Sequence, residues 1–542
     1  MLLVVLLLWP AAAPAQRSWK LSAPLPDGAE VMGGGQISPD GRHVAYRANR
    51  DDPDVYEVFS VPIAGGTSVK LHPPVPSGYG DGMFTPDGEE FLSFADSDGD
   101  GARKLYAAPA AGGTWRLLVD PPPGGSWYGC RVSPDSRRIV YCGPFGPGGR
   151  KELFSMPIDG SAATVVLNGP MGSSGSIYSS RFEITPDGQR VIYQATQETD
   201  LTPTLFSVPI DGSDPAFRLH TFLGGDEWVA GWAVAPDSGR VVYRARLGDH
   251  DPYELYSVPV AGGTPWKISG PLVDGGRVQS MLVTPDSGTV VYRADEEVAG
   301  KYELYSAHID GGTVEKVGGP FESGGGVGYE YEATPDGRFI VYRGRRRAGQ
   351  PWALWAASPG GGVGRLLSDP CSPADVWPFA ITPDSQWVVY GVGGLGGSGT
   401  NGLYAAWLDG GAILPLCVPP GGEDGQVVRE DFRITADGRH VVFGVGSQYG
   451  EGAYDDDIIL DALYAVPVTG GEAMLLNDPL PAGAFIYEFE LSPDGSTVVF
   501  LSDVGPAGAM ELYAARVPEP ATLLLLAAGG LVGVLRRRAR GT

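Results

Sequence analysis

The chain has 542 residues, of which 43% are hydrophobic and 19% charged, a composition that argues against intrinsic disorder. Its 82 glycines and 48 prolines indicate a fold with many turns. The formal net charge of −25 argues against nucleic acid or anionic lipid as partners of the folded part, because like charges repel.

The first segment, residues 1–15, is uncharged and almost entirely apolar. It ends with Ala13, Pro14 and Ala15, which fit the small-x-small cleavage pattern of a secretory signal peptide. We therefore predict cleavage after Ala15, a mature N-terminus at Gln16, and export. A buried first strand is the alternative, although residues 18–25 already supply the strand that the fold needs at this end.

Ten copies of one sequence unit occupy most of the chain. In each copy an apolar run ends at Pro-Asp, or at Ala-Asp in the ninth, and nine copies carry Tyr or Phe six residues after the aspartate. Eight copies carry another aromatic residue nineteen residues after it. A repeat of about fifty residues with constant internal spacing indicates one supersecondary unit repeated along the chain. The aspartates are Asp40, Asp87, Asp135, Asp187, Asp237, Asp286, Asp336, Asp384, Asp437 and Asp494.

Residues 237–268 illustrate the unit. After the turn at Asp237 come Val242 and Tyr243, then a polar loop, a second apolar run over 254–260, a Gly-Gly turn and the short run 266–268. Short runs rich in Val, Ile and aromatic residues between Gly, Pro and Asp are typical of strands joined by tight turns. We predict a four-stranded antiparallel meander: strand A ends at the Pro-Asp turn, B carries Val-Val-Tyr, C carries Leu-Tyr-Ser-Val-Pro, and D follows Gly-Gly.

A small sheet with apolar residues on both faces needs a neighbour on each side, which radial stacking provides. The predicted fold class is therefore all-β, a β-propeller of ten four-stranded blades. Residues 19–25 copy the D-strand segment 266–272, whereas the last unit stops after its C strand at 511–517. We expect the N-terminal strand to pair with the last unit and close one ten-bladed ring. Two smaller propellers, or two packed sandwiches, are the alternatives.

Three motifs, Ser/Thr-Pro-Asp-Gly, Val-Val-Tyr and Leu-Tyr-Ser-Val-Pro-Ile-Asp-Gly-Gly, resemble the WD-like propeller repeat of the TolB family. The resemblance covers residues 16–517 and implies the propeller fold. It implies no particular activity, because propellers include binding modules, scaffolds and enzymes.

Four cysteines fit an oxidising compartment. Cys130 and Cys142 flank the turn at Asp135 on opposing A and B strands, close enough in register for a cross-strand disulfide. Cys371 and Cys417 fall near the ends of D strands in successive units, on the same rim. Free buried thiols are the alternative for both pairs.

The meander distributes its connections between two faces of the disc. The A–B and C–D turns are nearly uniform in sequence and form one face, called here the turn face. The B–C and D–A loops vary in length and chemistry and form the other, called here the loop face. Binding sites usually lie on variable loops of a rigid scaffold, so we expect function on the loop face.

Acidic side chains are frequent in the loop-face segments. Asp96, Asp98 and Asp100 have the D-x-D-x-D-G spacing that opens a calcium-binding loop, in which oxygen ligands surround the ion. The ninth position, however, is Lys104, and the twelfth is Ala107 instead of the bidentate Glu. Calcium is the cofactor that this spacing suggests, and solvated turn residues are the alternative. Other acidic loop positions are Asp51, Asp52, Asp249, Asp251, Asp295, Glu296, Glu297, Asp455, Asp456 and Asp457.

Aromatic residues lie at or just before the A strands, close to the central opening. Exposed Trp and Tyr rings stack on sugars, while nearby carboxylates accept hydrogen bonds from sugar hydroxyl groups. Packing between blades is the alternative. The arginine run 345–347 fits the carboxylate of a uronate, with a solvated loop as the alternative. The candidates for ligand binding are Trp127, Tyr128, Trp228, Tyr329 and Trp377.

The C-terminal segment 518–542 has three parts. Pro518, Glu519 and Pro520 precede an uncharged apolar stretch over 521–535, and an arginine cluster follows. The stretch is short for a transmembrane helix of about 17–25 residues, although proline and the arginine stems extend it, and the cluster should stay in the cytoplasm. The segment closely resembles the PEP-CTERM sorting signal of Gram-negative bacteria, which implies processing by an exosortase in a producer of exopolysaccharide. An ordinary C-terminal membrane anchor is the alternative. The cluster consists of Arg536, Arg537 and Arg538.

The sequence contains no G-x-S-x-G, H-E-x-x-H or phosphate-binding glycine loop before a helix. This favours an exported, non-catalytic surface protein that binds exopolysaccharide or envelope proteins. The alternative is a carbohydrate-active enzyme, a lyase or glycosidase, that works with acidic loop residues.

Overall fold

The structure is a computed structural model that describes residues 16–518, except 77, 123–124, 126, 147, 172–174, 198–202, 220–227, 249–250, 370–373, 394–401, 418–425, 429–430 and 448–458. Several predicted features therefore lie outside the described residues: the signal peptide 1–15, Cys371, and the sorting segment from 519 onward with its apolar stretch 521–535 and its arginines 536–538. In the described part the chain forms β-strands and one short 3₁₀ helix, Pro506–Gly508. No helix of that part is long and apolar enough to cross a membrane.

The opening strand and the first five units comprise β1 (Ser18–Lys20), β2 (Val31–Ile37), β3 (His43–Asp52), β4 (Val55–Pro62), β5 (Val69–Lys70), β6 (Gly78–Tyr79), β7 (Asp81–Phe84), β8 (Glu90–Ala95), β9 (Lys104–Pro109), β10 (Arg116–Val119), β11 (Gly129–Val132), β12 (Arg138–Gly146), β13 (Arg150–Pro157), β14 (Val165–Val166), β15 (Ile177–Ile184), β16 (Arg190–Ala195), β17 (Thr204–Pro209), β18 (Phe217–Arg218), β19 (Trp228–Val234), β20 (Arg240–Arg246), β21 (Glu254–Pro259) and β22 (Trp266–Lys267).

The remaining units comprise β23 (Val278–Val283), β24 (Thr289–Ala294), β25 (Glu303–His308), β26 (Val314–Val317), β27 (Gly326–Ala333), β28 (Ile340–Arg345), β29 (Ala353–Ala357), β30 (Arg365–Leu366), β31 (Asp375–Ile381), β32 (Trp387–Gly393), β33 (Gly402–Trp407), β34 (Ile413–Cys417), β35 (Gln426–Val428), β36 (Arg433–Ile434), β37 (His440–Ser447), β38 (Ile459–Pro467), β39 (Met474–Leu475), β40 (Ile486–Leu491), β41 (Thr497–Ser502) and β42 (Glu511–Arg516).

Consecutive strands pair antiparallel within each unit, as in the order β19-β20-β21-β22 of the fifth unit, so strands A to D lie where the sequence predicts them. Eight units form separate sheets. The ninth and tenth share one sheet, joined by the single residue pair Leu460 and Ile486. In the ninth unit two short strands, β35 and β36, take the place of strand A. In the first unit, the extra strand β6 pairs with β4 in parallel.

The two recurrent aromatic positions face each other on strands B and C. Tyr243 stands opposite Tyr256, and the two rings stack with centroids 5.7 Å apart. Seven of the other units stack or tilt an aromatic pair at the same register. The second unit differs, because Ser93 faces Tyr106. The fixed spacing in the sequence therefore encodes a cross-strand pair that stabilises each sheet.

The hydrophobic core lies between neighbouring sheets rather than within one of them. Val242 and Leu255 of the fifth unit, for example, pack with Val290 and Tyr292 of the sixth. Clusters of the same kind join every consecutive pair of units from the first to the tenth. Sheets that are covered on both faces by their neighbours confirm the predicted all-β propeller class.

The N-terminal strand belongs to the tenth unit. β1 pairs antiparallel with β42, with Trp19 opposite Ala514, and thus lies fourth after β40, β41 and β42. Leu21, which follows β1, is buried in a cluster that the first and tenth units share. This cluster includes Val44 of the first unit and Leu512 of the tenth.

The N-terminal segment and a D strand form the same hydrogen bond. The hydroxyl of Ser22 accepts a hydrogen bond from the N–H of Leu512 at 3.2 Å. In the fifth unit the hydroxyl of Ser269 accepts the same bond from the N–H of Leu255 at 3.1 Å. The similarity of residues 19–25 to 266–272 therefore corresponds to the same local structure.

The Pro-Asp turns share one hydrogen-bond pattern. Thr334 donates its hydroxyl to Asp336 at 2.6 Å, and Asp336 accepts a second bond from the N–H of Arg338 at 3.0 Å. Nine of the ten units have the hydroxyl bond, and the fifth has Ala235 in place of Ser or Thr. These Asx-type bonds hold the A–B turns in one conformation.

Four units carry a serine after the aspartate, in the left-handed region at φ of 58 to 62°. Each hydroxyl accepts a hydrogen bond from the aspartate N–H of the preceding unit at 2.9 or 3.0 Å, which links neighbouring blades. Glycine is the usual residue at such a φ. The serines are Ser136, Ser238, Ser287 and Ser385.

The expected disulfide between Cys130 and Cys142 is not formed, and both are free thiols. Cys130 stands opposite Tyr141, and Cys142 opposite Gly129. This shift of one residue places the two thiols on opposite faces of the sheet, since side chains alternate along a strand. Cys142 accordingly packs between the third and fourth units, whereas Cys130 packs between the second and third. Cys417 is also free.

Candidate functional site

Two of the aromatic candidates are half-buried between sheets. The indole N–H of Trp127 donates to the carbonyl of Arg103, and its ring centroid lies 5.4 Å from that of Tyr141. Tyr128 is half-buried, and the ammonium of Lys151 lies 3.9 Å from its ring centroid. Little of either ring face is left for a ligand.

The other three candidates differ in exposure. Trp228 is half-buried and meets Tyr178 edge-on at 6.4 Å. Tyr329 is 67% exposed and Trp377 is 39% exposed. Both lie seven residues before the Pro-Asp aspartate, in the seventh and eighth units. The structure therefore brings two exposed rings to the same position of successive blades.

Arginines lie against these exposed rings. Arg244, Arg293 and Arg343 each follow the strand-B tyrosine, in the fifth, sixth and seventh units, and are called here the arginine row. The guanidinium carbon of Arg343 lies 5.3 Å from the ring centroid of Trp352 and 5.5 Å from that of Trp377, a cation–π arrangement. This row was not predicted from the sequence, although the tripeptide Val-Tyr-Arg marks it in all three units.

Arg293, the central member of the row, is 6% exposed. Its guanidinium carbon lies between two rings, 4.2 Å from the centroid of Tyr302 and 4.3 Å from that of Tyr329. Nε donates to the carbonyl of Val327 in the next unit at 2.9 Å, and Nη1 bonds to the side chain of Gln279. Burial lowers the pKa of Arg293, because desolvation disfavours the charged form. In the described part of the chain no carboxylate lies within ion-pair distance of it.

The two neighbours of Arg293 in the row have different partners. Arg343 has two carboxylates, Glu330 and Asp375, each at 3.7 Å. Arg244 donates to backbone carbonyls, among them that of Val278 at 3.4 Å, and burial lowers its pKa too. Three arginines at equivalent positions therefore range from ion-paired to unpaired.

A cleft of about 600 Å³ opens beside Arg293, between the sixth and seventh units. Tyr302, Val327, Arg345 and Trp352 are among the residues that line it. Arg345 lies over Trp352, with 4.9 Å from the guanidinium carbon to the ring centroid. Its Nε is buried and has no hydrogen-bond partner in the described structure. The cleft thus contains two guanidinium groups and exposed aromatic edges.

A lysine ammonium lies among the carboxylates of the predicted calcium loop. Oxygens of Asp96, Asp98 and Asp100 lie within 4.8 Å of one another. The buried ammonium of Lys104 lies 2.8 Å from Asp98, 3.4 Å from Asp100 and 3.3 Å from Asp120. Hydrogen bonding to Asp98 raises the pKa of Lys104 and lowers that of Asp98. Calcium binding stays a prediction, and it would have to compete with this ammonium.

A second cleft, of about 550 Å³, lies between the A strands of the third to fifth units. Its lining includes Arg131, Arg181, Glu183 and Trp232. Burial raises the pKa of Glu183, although the nearby charge of Arg131 acts against this shift. A carboxyl group beside an indole ring is the arrangement expected of a sugar-binding surface or of a general acid.

Comparison with known proteins identifies the C-terminal segment. Residues 516–539 match the PEP-CTERM protein-sorting motif. No curated protein is significantly similar in sequence to this chain.

Several solved structures resemble this chain at low sequence identity. A prolyl endopeptidase is 14% identical, with a TM-score of 0.37; the match covers 68% of this chain and 54% of the endopeptidase, so the chain spans about half of that protein's length. An oligogalacturonate lyase from Vibrio parahaemolyticus is 14% identical, with a TM-score of 0.37 and coverage of 81% and 97%. A TolB homologue from Agrobacterium tumefaciens is 18% identical, with a TM-score of 0.27 and coverage of 53% and 79%.

The sorting motif implies export, processing by an exosortase and sorting to the cell surface of a Gram-negative bacterium. The described residues before it form the sheets of a propeller with TolB-like repeats. The chain is therefore an exosortase-sorted extracellular β-propeller protein.

Proposed function

We propose that the ten units form one closed ring. Three observations support this proposal: β1 pairs with β42, Ser22 has the role of a D-strand serine in the tenth unit, and the first and tenth units share a core cluster around Leu21. Core clusters between all other consecutive units, in the part of the chain that the structure describes, also support one ring over two propellers.

We propose further that the mature protein begins at Gln16 and loses its C-terminal segment. The small-x-small pattern at Ala15 supports the first cleavage, and the sorting motif supports the second. In this account the apolar stretch 521–535 spans the membrane only until the exosortase acts. Mass spectrometry of the protein from its host tests both ends, and an intact C-terminus on the surface-exposed form would contradict the second.

We propose that the ring is a non-catalytic binding protein whose ligand is a polysaccharide of the extracellular matrix. The observation that carries the proposal is the pair of exposed rings, Tyr329 and Trp377, on successive blades of the loop face. Each ring has an arginine against one face, which fixes its orientation before a ligand arrives. Two aromatic side chains held in this way can stack on consecutive sugars of a polymer. An envelope protein is the other partner that a surface location suggests.

Co-sedimentation with the exopolysaccharide of the producing bacterium tests this function. We expect Tyr329→Ala and Trp377→Ala each to weaken retention about tenfold, since stacking on one ring contributes about 1–3 kcal/mol. Trp266→Ala is the matched control, because Trp266 is 54% exposed but lies on β22, an outer strand. Absence of retention of the wild-type protein, or equal loss in all three variants, would contradict the polysaccharide function.

A second candidate function is that of a lyase or glycosidase. The observation in its favour is a set of strand-A glutamates, Glu183, Glu332 and Glu490, whose pKa burial raises. A raised pKa lets a carboxyl group keep its proton to higher pH, which suits it to act as a general acid. Turnover of the bound polysaccharide that disappears in Glu183→Gln would establish this function, and binding without turnover would exclude it for that polymer.

A further inference from the structure

The cleft between the sixth and seventh units combines features that a packed interface alone does not require. Arg293 is almost fully buried yet has no ion pair within the described structure, and Arg345 has a buried Nε with no hydrogen bond. An unpaired buried charge is costly, so proteins seldom retain one without a function. In a chain of net charge −25, a second guanidinium in the same cleft, that of Arg345, is all the more unexpected.

The carboxylates near the cleft are bound to other groups. Glu303 takes part in ion pairs with Lys301 at 3.1 Å and Lys316 at 2.8 Å. Asp295 accepts hydrogen bonds from the N–H groups of Arg277 and Gly300 at 2.6 and 2.8 Å. Within the described structure neither carboxylate therefore forms an ion pair with Arg293 or Arg345.

Glu330 is the acidic residue whose charge reaches Arg293, but its carboxylate lies within ion-pair distance of Arg343, at 3.7 Å. Glu330 therefore leaves Arg293 without a direct counterion. An incoming anion would supply one.

The geometry around Arg293 determines how such an anion approaches. Tyr302 and Tyr329 cover both faces of the guanidinium, so its hydrogen-bonding edge is the accessible part. Nε and Nη1 are bound to Val327 and Gln279, whereas Nη2 has no hydrogen bond in the described structure. A carboxylate that lies in the plane of the guanidinium can accept hydrogen bonds from this edge, as in other arginine–carboxylate pairs.

We propose that this cleft is a carboxylate subsite, and that the ligand of the loop face is an acidic polysaccharide whose uronate carboxylate binds Arg293 and Arg345. This inference rests on the proposed function and names the class of sugar. Tyr329 would stack on the ring of the sugar whose carboxylate enters the cleft. Trp377, on the next blade, would contact a neighbouring sugar. The subsite explains why Arg293 lacks the carboxylates that Arg343 has at the equivalent position.

Binding of alginate oligosaccharides to the full extracellular chain tests the proposal by isothermal titration calorimetry. We expect Arg293→Gln to weaken binding at least tenfold, and Arg345→Gln about fivefold, because each loses a charge-assisted contact. Arg439→Gln is the matched control, since Arg439 is exposed on the turn face and paired with Asp437 at 3.8 Å. A loss in Arg439→Gln equal to that in Arg293→Gln would overturn the subsite.

A second measurement needs no variant and holds if Arg293→Gln fails to fold. Carboxyl-reduced alginate should bind the wild-type protein at least tenfold more weakly than alginate. Equal binding of the two polymers, or of a sulfated dextran and alginate, would overturn the carboxylate assignment while leaving a polysaccharide-binding function in place. If no glycan binds, including the producer's own polymer, both the function and the subsite are wrong.

Discussion

Arginines on the two faces of this propeller differ in their counterions. On the turn face Arg338 lies 3.2 Å from Asp409, and Arg116 forms two hydrogen bonds with Glu90 at 2.8 and 2.9 Å. On the loop face Arg343 lies near Glu330 and Asp375, whereas the buried Arg293 has no ion pair within the described residues. Arg293 is therefore a buried cation without a carboxylate partner, unlike these three arginines.

The difference fits the proposed role of the cleft in binding. Turns that repeat the same Ser/Thr-to-Asp bond in nine units stabilise every blade in the same way. An unpaired arginine lowers the stability of one blade and is retained only if it contributes something else. We therefore expect substitutions on the turn face to change stability, and substitutions in the cleft to change binding.

The largest loss of stability is expected at the core cluster between the first and tenth units. Leu21→Ala should lower the free energy of unfolding by about 2–5 kcal/mol, because it leaves a cavity in the cluster between the first and tenth units. Urea denaturation measures the change. Leu117→Ala is the control, since Leu117 is 50% exposed on β10, and should cost much less. Equal effects of the two variants would mean that the N-terminal strand does not support the ring.

The next largest effect is on the pH dependence of stability. It is expected at His72, at the start of the D–A loop that follows β5. Nε2 of the buried His72 accepts the N–H of Val58 at 2.9 Å, which only a ring unprotonated at Nε2 can do. Burial lowers the pKa of His72 below its usual 6.5, so stability is lost as the pH falls below that value. In the third unit Asn168 accepts the equivalent bond, from Leu153 at 2.7 Å. His72→Asn should therefore keep the bond and remove this pH dependence.

Denaturation of both proteins between pH 7 and pH 4.5 checks this expectation. Below pH 6.5 the difference in unfolding free energy between the wild type and His72→Asn should change by up to about 1.4 kcal/mol per pH unit. The variant should be the less sensitive of the two to acid. The strand-A glutamates, such as Glu332, contribute with the opposite sign, because their raised pKa makes the folded state take up protons first. They contribute to both proteins equally and cancel in the difference. Parallel pH profiles would contradict the role of His72.

The Pro-Asp turn at Asp336 should respond at lower pH. Burial acts to raise the pKa of Asp336, but hydrogen bonds from Arg338 and Thr334 outweigh it and lower the pKa to about 2. The stabilisation is present above the usual 3.8 and is lost as the pH falls through about 2. The loss at Asp336 therefore begins only near pH 3.8, whereas the loss at His72 begins near pH 6.5, and one denaturation series over pH checks both.

Features that repeat along the chain could be predicted from the sequence. Strand order and the aromatic pair follow from constant spacing, and the membership of residues 18–20 in the tenth unit follows from their likeness to 266–272. Ten copies of one pattern reduce the ambiguity that a single short apolar run would have. The two exposed rings, Tyr329 and Trp377, were also among the predicted candidates.

Features that depend on one residue of register or on the neighbouring blade could not be predicted. Cys130 and Cys142 were assigned to the correct strands, but a shift of one residue places them on opposite faces. Trp127 is one of the aromatic residues near an A strand, yet it packs against Tyr141 of its own sheet. The unpaired state of Arg293 depends on where Glu330 of the next unit lies, which the repeat pattern does not contain.

The arginine row allows a comparison of how much an arginine with an ion pair and one without contribute to stability. Arg343→Met should cost about 1–3 kcal/mol, because Glu330 and Asp375 lose their partner. Arg293→Met removes a cation without an ion pair and should cost less than Arg343→Met, or stabilise the protein. Thermal unfolding in ligand-free buffer compares them. A larger loss in Arg293→Met would mean that Arg293 serves mainly to join the blades, through its bond to Val327.

A smaller effect is expected in the serines that link neighbouring turns. Ser287→Ala removes the hydrogen bond from the N–H of Asp237 and should cost about 1 kcal/mol. Ser287→Gly removes the same bond but relieves the positive φ of 59°, which recovers about 1 kcal/mol. The glycine variant should therefore lie close to the wild type in chemical denaturation. If the alanine variant is the more stable of the two, the backbone strain at Ser287 is not significant.

The smallest effect is expected in the aspartate loop, where Lys104 occupies the position of a cation. Added calcium should leave the Tm of the wild type unchanged within about 1 °C, because an ion would have to displace an ammonium that three carboxylates share. Lys104→Met removes that ammonium, so calcium should raise the Tm of the variant by more than it raises that of the wild type. Magnesium at the same concentration is the control, since it loses its water shell less readily. A calcium-dependent rise in the wild type would show that the ion displaces Lys104, and it would make the loop face a site for cations as well as for the carboxylate.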